Sequence, residues 1–218
     1  MPETAKTRIL LARHGQTSWN LGAGQVRYRG QTDVPLDELG HAQARALALP
    51  LSPPATPTTG DGESIAGIYT SPLQRAVQTA QPTADRLGLP VVPLSGLMDM
   101  NLGEWQGLTH TEVTRRYPEI HRRWLEAPHT VTLPGGENLA AVLERNQAAV
   151  TELLARHASE TILLVGHQVV NKVLVCWMLG LDNSHYWRVT QDNACLNIFM
   201  HAGGVFRVVT LNDTCHLP

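Results

Sequence analysis

The chain has 218 residues, enough to bury a full hydrophobic core in one domain. Its 43% hydrophobic and 17% charged content excludes a disordered chain, and a net charge of −2 offers no broad basic surface for nucleic acid. Three scattered cysteines, Cys176, Cys195 and Cys215, form neither a disulfide framework nor a paired metal motif, which suits a reducing compartment.

In chain order, Met1 to Arg8 is polar, and the apolar run after it spans only about four residues. A leader segment needs about 7 or more, so the reading expects a cytoplasmic protein without one. Arg8–Ala12 reads as a short buried strand that stops at Arg13-His14-Gly15, where Gly15 lets the backbone turn. Leu36–Leu49, rich in alanine and leucine, reads as a helix. Residues 51–63 are rich in proline, threonine and glycine and read as a surface insertion within a single domain spanning 1–218. A strand over Ile65–Tyr69 follows. Next comes a helix over Pro72–Leu87, with Ser71 in the N-cap place and Gly88 just beyond its end. Val91–Val92 continues as a short strand, and Thr109 to Ala127 as a compact helical stretch.

Leu139–Ala155 carries an apolar face at helical spacing, then Thr161–Val165 reads as a strand and Gln168–Leu179 as a helix ending at Gly180. Polar residues in the middle of this apolar stretch (His167, Gln168, Asn171, Lys172) argue against a membrane span. Strands over Leu196–Met200 and Val205–Leu211 close the chain, and their edge could pair two copies into a homodimer. Strands alternating with helices predict an α/β three-layer sandwich, its mostly parallel sheet covered by helices on both faces.

Three strands end in polar residues of a particular kind. The first ends in Arg13-His14-Gly15, the second in Thr70-Ser71-Pro72 with Arg75 in the following turn, and the fourth in Gly166-His167. Ligands of parallel α/β sheets bind beyond the carboxyl ends of the strands, so these residues gather at one sheet edge. Arg75 near a helix N-terminus adds backbone N–H groups that favour a phosphate. Each residue also has a plainer reading: Arg75 as an exposed helix residue, His167 as a satisfied core histidine, Arg13 and His14 as a solvated strand end. Together they supply two arginines, two histidines and a helix start for a dianion. Attack on phosphorus needs little more than positioning and neutralised oxygen charge.

Four ordered blocks extend the pattern over nearly the whole chain: Leu11–Asn20; Arg27–Leu36 with Leu39-Gly40; Thr70–Ala76 with Gln78-Thr79-Ala80; and Val165–Gln168. In this order they resemble the histidine phosphatase (phosphoglycerate mutase-like) superfamily. The resemblance implies that His14 is the nucleophile that becomes phosphohistidine. It also implies that Arg13, Asn20, Arg75 and His167 form the phosphate pocket. Arginine forks and a protonated His167 would neutralise the transferring oxygens. No cofactor or metal is implied, and no two histidines or carboxylates lie at ligand spacing on one predicted helix.

The family's general acid precedes a Gly-x-Trp-x-Gly stretch, here Gly103 to Gly107, by four residues, which places Asp99 in that role. The family usually has glutamate there, so this acid is one methylene shorter; Glu104 is the rival. Arg29 stands where many relatives carry glutamine, and a cation at the mouth would favour acidic substrates; an exposed loop arginine is the alternative. Arg122 and Arg123 read as a solvated helix face that could also meet a carboxylate. Trp124–His129, Gly135-Gly136-Glu137 and the ending Leu211–Leu217 resemble the phosphoserine phosphatases of the family, whose tail closes over substrate, so His216 is a candidate ligand contact. Those enzymes have histidine where this chain has Leu102, which favours a less polar leaving group such as a sugar or ribazole phosphate. The substrate is therefore expected to be a small phosphate ester, phosphoserine first among several. A phosphoglycerate mutase is the rival, and only a compact stretch stands where mutases carry longer insertions.

Overall fold

The computed structural model describes residues 6–20, 26–51 and 64–217. Six strands form one sheet in the order β3-β2-β4-β1-β5-β6. They are β1 (Thr7–Arg13), β2 (Ile65–Thr70), β3 (Val91–Pro93), β4 (Thr161–Gly166), β5 (Leu196–Ala202) and β6 (Val205–Asp213). The first four run parallel, whereas β5 lies antiparallel to β1 and β6 antiparallel to β5. The last two strands differ because only Gly203-Gly204 joins them, and so short a link forces a hairpin.

Alternation along the strands builds two cores. Ile9 and Leu11 of β1, with Ile162 and Leu164 of β4, face α5 (Leu139–Arg156) and α6 (Gln168–Met178). Leu10, Ala12, Leu163 and Val165 face the other way, against α1 (Glu38–Leu51) and α2 (Gln74–Leu87). The result is the three-layer α/β arrangement expected from the alternation. A pair of short helices, α3 (His110–Arg116) and α4 (Pro118–Glu126), occupies the stretch read as compact and helical. Leu51 closes α1, and the rest of the proposed insertion lies outside the described residues. Among the described residues no helix is long and apolar enough to cross a membrane.

Two local expectations are corrected. Helix α2 begins at Gln74, not Pro72, and Ser71 does not cap it. Its first amide is instead bonded at 2.8 Å by Asp33 Oδ1, a carboxylate from the second sequence block. Gly15 is also needed for a different reason. A Cβ there would stand 2.7 Å from the Gly40 carbonyl oxygen, and one on Gly40 would stand 2.0 Å from the Gln16 carbonyl oxygen. The strand end and the first turn of α1 touch backbone to backbone, which seats the loop after His14. Gly40→Ala is expected to force these segments apart and to cost about 1–3 kcal/mol of stability. Urea unfolding measures this directly; an unchanged midpoint would show that the contact tolerates a methyl group.

Candidate active site

Parallel register brings the chemistry together. Arg13 pairs with Gly166 across β1 and β4, and Thr70 with Val165 across β2 and β4. The next residues, His14, His167 and Ser71, therefore emerge side by side at one sheet edge. His14 N–H donates to the Gly166 carbonyl at 3.0 Å and Ser71 N–H to that of Val165 at 3.0 Å, which ties the three strand ends together. The His14 and His167 rings lie 5.2 Å apart between centroids, and both residues are fully buried.

His14 Nδ1 lies 2.6 Å from the Gly15 carbonyl oxygen. A carbonyl only accepts, so Nδ1 carries the proton and Nε2 keeps its lone pair. Nε2 is buried and has no hydrogen-bond partner. Burial and the nearby Arg75 and Arg13 cations hold this imidazole well below its usual pKa, so it stays neutral.

Arg75, wholly buried in the first turn of α2, joins the site's parts. Its Nη2 donates to the Gly30 carbonyl at 2.6 Å and to Asp99 Oδ2 at 3.0 Å, and its Nη1 to the Thr32 carbonyl at 2.8 Å. Its Nε donates to His167 Nδ1 at 3.2 Å. That bond corrects the expected protonated His167. A ring nitrogen accepting from a guanidinium carries no proton, so the imidazole is neutral, and burial with Arg75, Arg29 and Arg13 nearby depresses its pKa strongly. Its proton sits on Nε2, again buried and unpartnered. Arg75 also has most of its donors spent on protein, so it is less an open fork than a brace.

The open cationic donors belong elsewhere. Arg13 Nη1 donates to the Gln191 carbonyl at 2.6 Å, while its Nε has no partner. Arg29 keeps both Nε and Nη1 buried and unpaired, and burial beside Arg13 and Arg75 lowers its pKa to about 9. The sequence singled Arg29 out as a departure at the mouth; the structure brings it to the same cavity as Arg13. Its closeness to Gly30, whose carbonyl Arg75 holds, was the available signal. Unpaired buried donors cost free energy unless a ligand meets them, and an oxyanion would.

Asp99 is buried at the edge of this group, its Oδ2 also 3.6 Å from His167 Nδ1. Burial raises its pKa against the opposing pull of Arg75 and Arg29, which favours the protonated form an acid needs. Glu104 instead accepts from the Tyr117 hydroxyl at 2.7 Å and does not line the cavity. Arg13, Asn20, Arg29, Asp99 and Leu102 line a cavity of about 460 Å³ whose wall is aromatic: Tyr28, His110, Trp124, Tyr186 and Trp187. Asn20 Oδ1 accepts from Thr17 N–H at 2.9 Å, so its amide nitrogen is the group left for an anion. His14, Arg75, His167 and His216 are not among the lining residues; what sets His216 apart is that its Nε2 lies 3.1 Å from the Ala194 carbonyl oxygen, away from the two buried rings. Arg122 is exposed and paired with Glu119 and Glu126, and Arg123 reaches the Thr130 carbonyl, so neither faces the cavity. A second hollow of about 470 Å³, bordered by Leu94, Gly96 and Arg145, gathers no comparable set of unpaired nitrogens. Among the described residues no group of three or more histidine, cysteine or carboxylate side chains is placed to hold a metal ion.

Comparison with known proteins identifies the family and the fold. The family described as histidine phosphatase superfamily (branch 1) matches residues 9–214. Phosphoserine phosphatase 1 of Hydrogenobacter thermophilus is 35% identical over 210 residues, covering 96% of this chain and 94% of that protein. A glucosyl-3-phosphoglycerate phosphatase of Mycolicibacterium vanbaalenii is 34% identical over 185 residues, 80% of this chain and 75% of its own. Among solved structures, Bacillus stearothermophilus YhfR superposes with a TM-score of 0.87 at 31% identity, covering 97% of this chain and 100% of that one.

Two buried neutral imidazoles make stability depend on pH. In the unfolded chain they protonate below about pH 6.5, whereas the folded ones resist, so the unfolded state gains protons first. Stability should fall as pH drops below about 6.5, by up to about 1.4 kcal/mol per pH unit for each histidine. Urea midpoints at two pH values, for the parent and a His14→Asn/His167→Asn double variant, check this: the double variant should lose less. Equal losses would remove the assignment of neutral rings.

Proposed function

We propose that this chain, which belongs to the histidine phosphatase superfamily, hydrolyses a small phosphate monoester through a covalent phosphohistidine formed on His14. Membership of the family and the phosphatases among its relatives make it a phosphoric monoester hydrolase. One observation carries the finer reading: His14 Nε2 is buried, unpaired and lone-pair-bearing, beside unpaired donors from Arg13, Arg29 and His167. We take residues 1–218 as one phosphatase domain.

In this reading the ester's phosphoryl group sits among Arg13, Arg29, the His167 Nε2–H and the Asn20 amide. His14 Nε2 attacks phosphorus in line as the bond to the leaving oxygen breaks. Asp99 gives its proton to that oxygen, releasing the alcohol. Water then loses a proton to the Asp99 carboxylate and attacks phosphorus. The P–N bond breaks, inorganic phosphate leaves and His14 returns to its neutral state. The donors are in place before charge shifts, so stabilising the transferring oxygens costs little reorganisation. Metal independence belongs to the same proposal, since the phosphate charge is met by side chains alone.

The 35% identity to a phosphoserine phosphatase supports phosphoserine as substrate. The aromatic wall and Leu102 support a second reading, a ring-bearing ester such as a sugar or ribazole phosphate. Enzyme mixed with radiolabelled substrate and quenched in alkaline detergent should carry a phosphate that is stable to alkali and lost in acid. His14→Ala should lose that label and at least about a thousandfold in kcat. A chelator should leave turnover intact. A labelled, active His14→Ala enzyme would rule the mechanism out. Catalytic efficiencies on phosphoserine and on a sugar phosphate decide between the substrates: a higher value for the ring-bearing ester would displace phosphoserine.

A further inference from the structure

The carboxyl of Asp99 hangs from a segment that one guanidinium grips at three carbonyls, with Asn146 Nδ2 also donating to that of Gly96 at 2.6 Å and Gln31 Nε2 to that of Asp99 at 3.1 Å. Arg145, in α5, sends Nη1 to the Gly96 and Met98 carbonyls at 3.0 and 2.6 Å and Nη2 to the Asp99 carbonyl at 3.1 Å. The same guanidinium meets Glu137 in a fork, Nε to Oε1 at 3.0 Å and Nη2 to Oε2 at 3.2 Å. Glu137 in turn grips the far end of the segment. Its Oε2 accepts from Asn101 N–H at 2.7 Å, and its own N–H donates to the Asn101 carbonyl at 2.8 Å. Carbonyls 96, 98 and 99 and both backbone groups of Asn101 are thereby fixed by one ion pair.

A single ion pair on ordinary surface structure contributes little, but this one spends its hydrogen bonds on loop backbone, not on solvent. Neither residue lines the cavity, and both direct their polar atoms at each other and at the backbone of the loop. We propose that Arg145 and Glu137 are positioning residues that set how far the Asp99 carboxyl reaches toward the leaving oxygen. The inference rests on the reading of Asp99 as general acid. Aspartate is one methylene shorter than the glutamate the family resemblance leads one to expect, so the reach must come from where the backbone is held. An acid must stand within hydrogen-bond distance of the oxygen it protonates, and a displacement of about 1 Å costs about 100-fold in rate.

The test compares two esters. An alkyl phosphate such as phosphoserine leaves as a poor alkoxide and needs the acid, whereas p-nitrophenyl phosphate leaves as a stable phenolate and needs it much less. Arg145→Met, Arg145→Lys, Glu137→Gln and Asp99→Asn are each assayed on both, together with inhibition by vanadate. Arg145→Met should lower kcat on the alkyl ester at least about tenfold more than on the aryl ester, with Arg145→Lys partly restoring the ratio. Vanadate inhibition should shift far less than the alkyl rate. Glu137→Gln, nearly isosteric, keeps the test open if Arg145→Met fails to fold. Equal losses on both esters, or none on either, would overturn the positioning role while leaving Asp99 as acid if Asp99→Asn retains its own ester dependence. If Asp99→Asn shows no such dependence, the acid assignment falls and the positioning proposal falls with it.

Discussion

The site depends on one buried cation. Arg75 has no exposed surface, yet it touches three separate segments: the Gly30–Thr32 loop, Asp99 and His167. Taking a guanidinium out of water costs several kcal/mol, and here the cost is offset by a carboxylate and two carbonyls. The same bonds decide chemistry. By donating to His167 Nδ1, Arg75 leaves the proton of that ring on Nε2, the nitrogen without a protein partner. On the other ring the Gly15 carbonyl does the opposite, holding the proton on Nδ1 so that Nε2 can attack. Two histidines side by side thus receive opposite tautomers, one offering an N–H and the other a lone pair.

Around this brace the charges do not balance. Arg29 feels the charges of Arg13 and Arg75, and Asp99 is the acid that acts on all three arginines, with its Oδ2 3.0 Å from Arg75 Nη2. Burial lowers the pKa of each arginine, and their joint field also depresses both imidazoles. Such a group is costly to the empty fold and favourable to an incoming dianion, which is how preorganised sites work. The excess positive charge also accounts for neutral histidines: a fourth or fifth cation in the same low-dielectric space would have no counter-charge to meet it.

The floor of the cavity and its wall answer different questions. The floor carries the unpaired donors of Arg13 and Arg29, which would meet the phosphate of any monoester. Under the proposed function, selection of the alcohol falls to the wall of Tyr28, His110, Trp124, Tyr186 and Trp187. His110 stacks on Tyr28 with centroids 4.5 Å apart, and Lys172 Nζ lies 4.7 Å from the Tyr186 and Trp187 rings, so these aromatics are themselves braced. A common fold with varied walls is how one reaction comes to serve several substrates.

Much of this was legible in the residues alone. Apolar runs stopped by Arg13-His14, Thr70-Ser71 and Gly166-His167 revealed the strands and the edge they share, because burial demands apolar side chains and ligand contact demands polar ones. Asp99 is singled out by the family resemblance, through its place four residues before Gly103. Other facts had no local signature. The cap of α2 comes from Asp33, 41 residues before the amide it meets, while Ser71-Pro72 imitated a helix start. The tautomers of His14 and His167, the commitment of the Arg75 donors to protein, the burial of Arg29 and the docking of His216 on Ala194 are all matters of which partner lies opposite. Periodicity and motif spacing specify which side chains reach the sheet edge. Hydrogen-bond direction, charge and desolvation depend on groups far away in sequence, so only the packed chain could decide them.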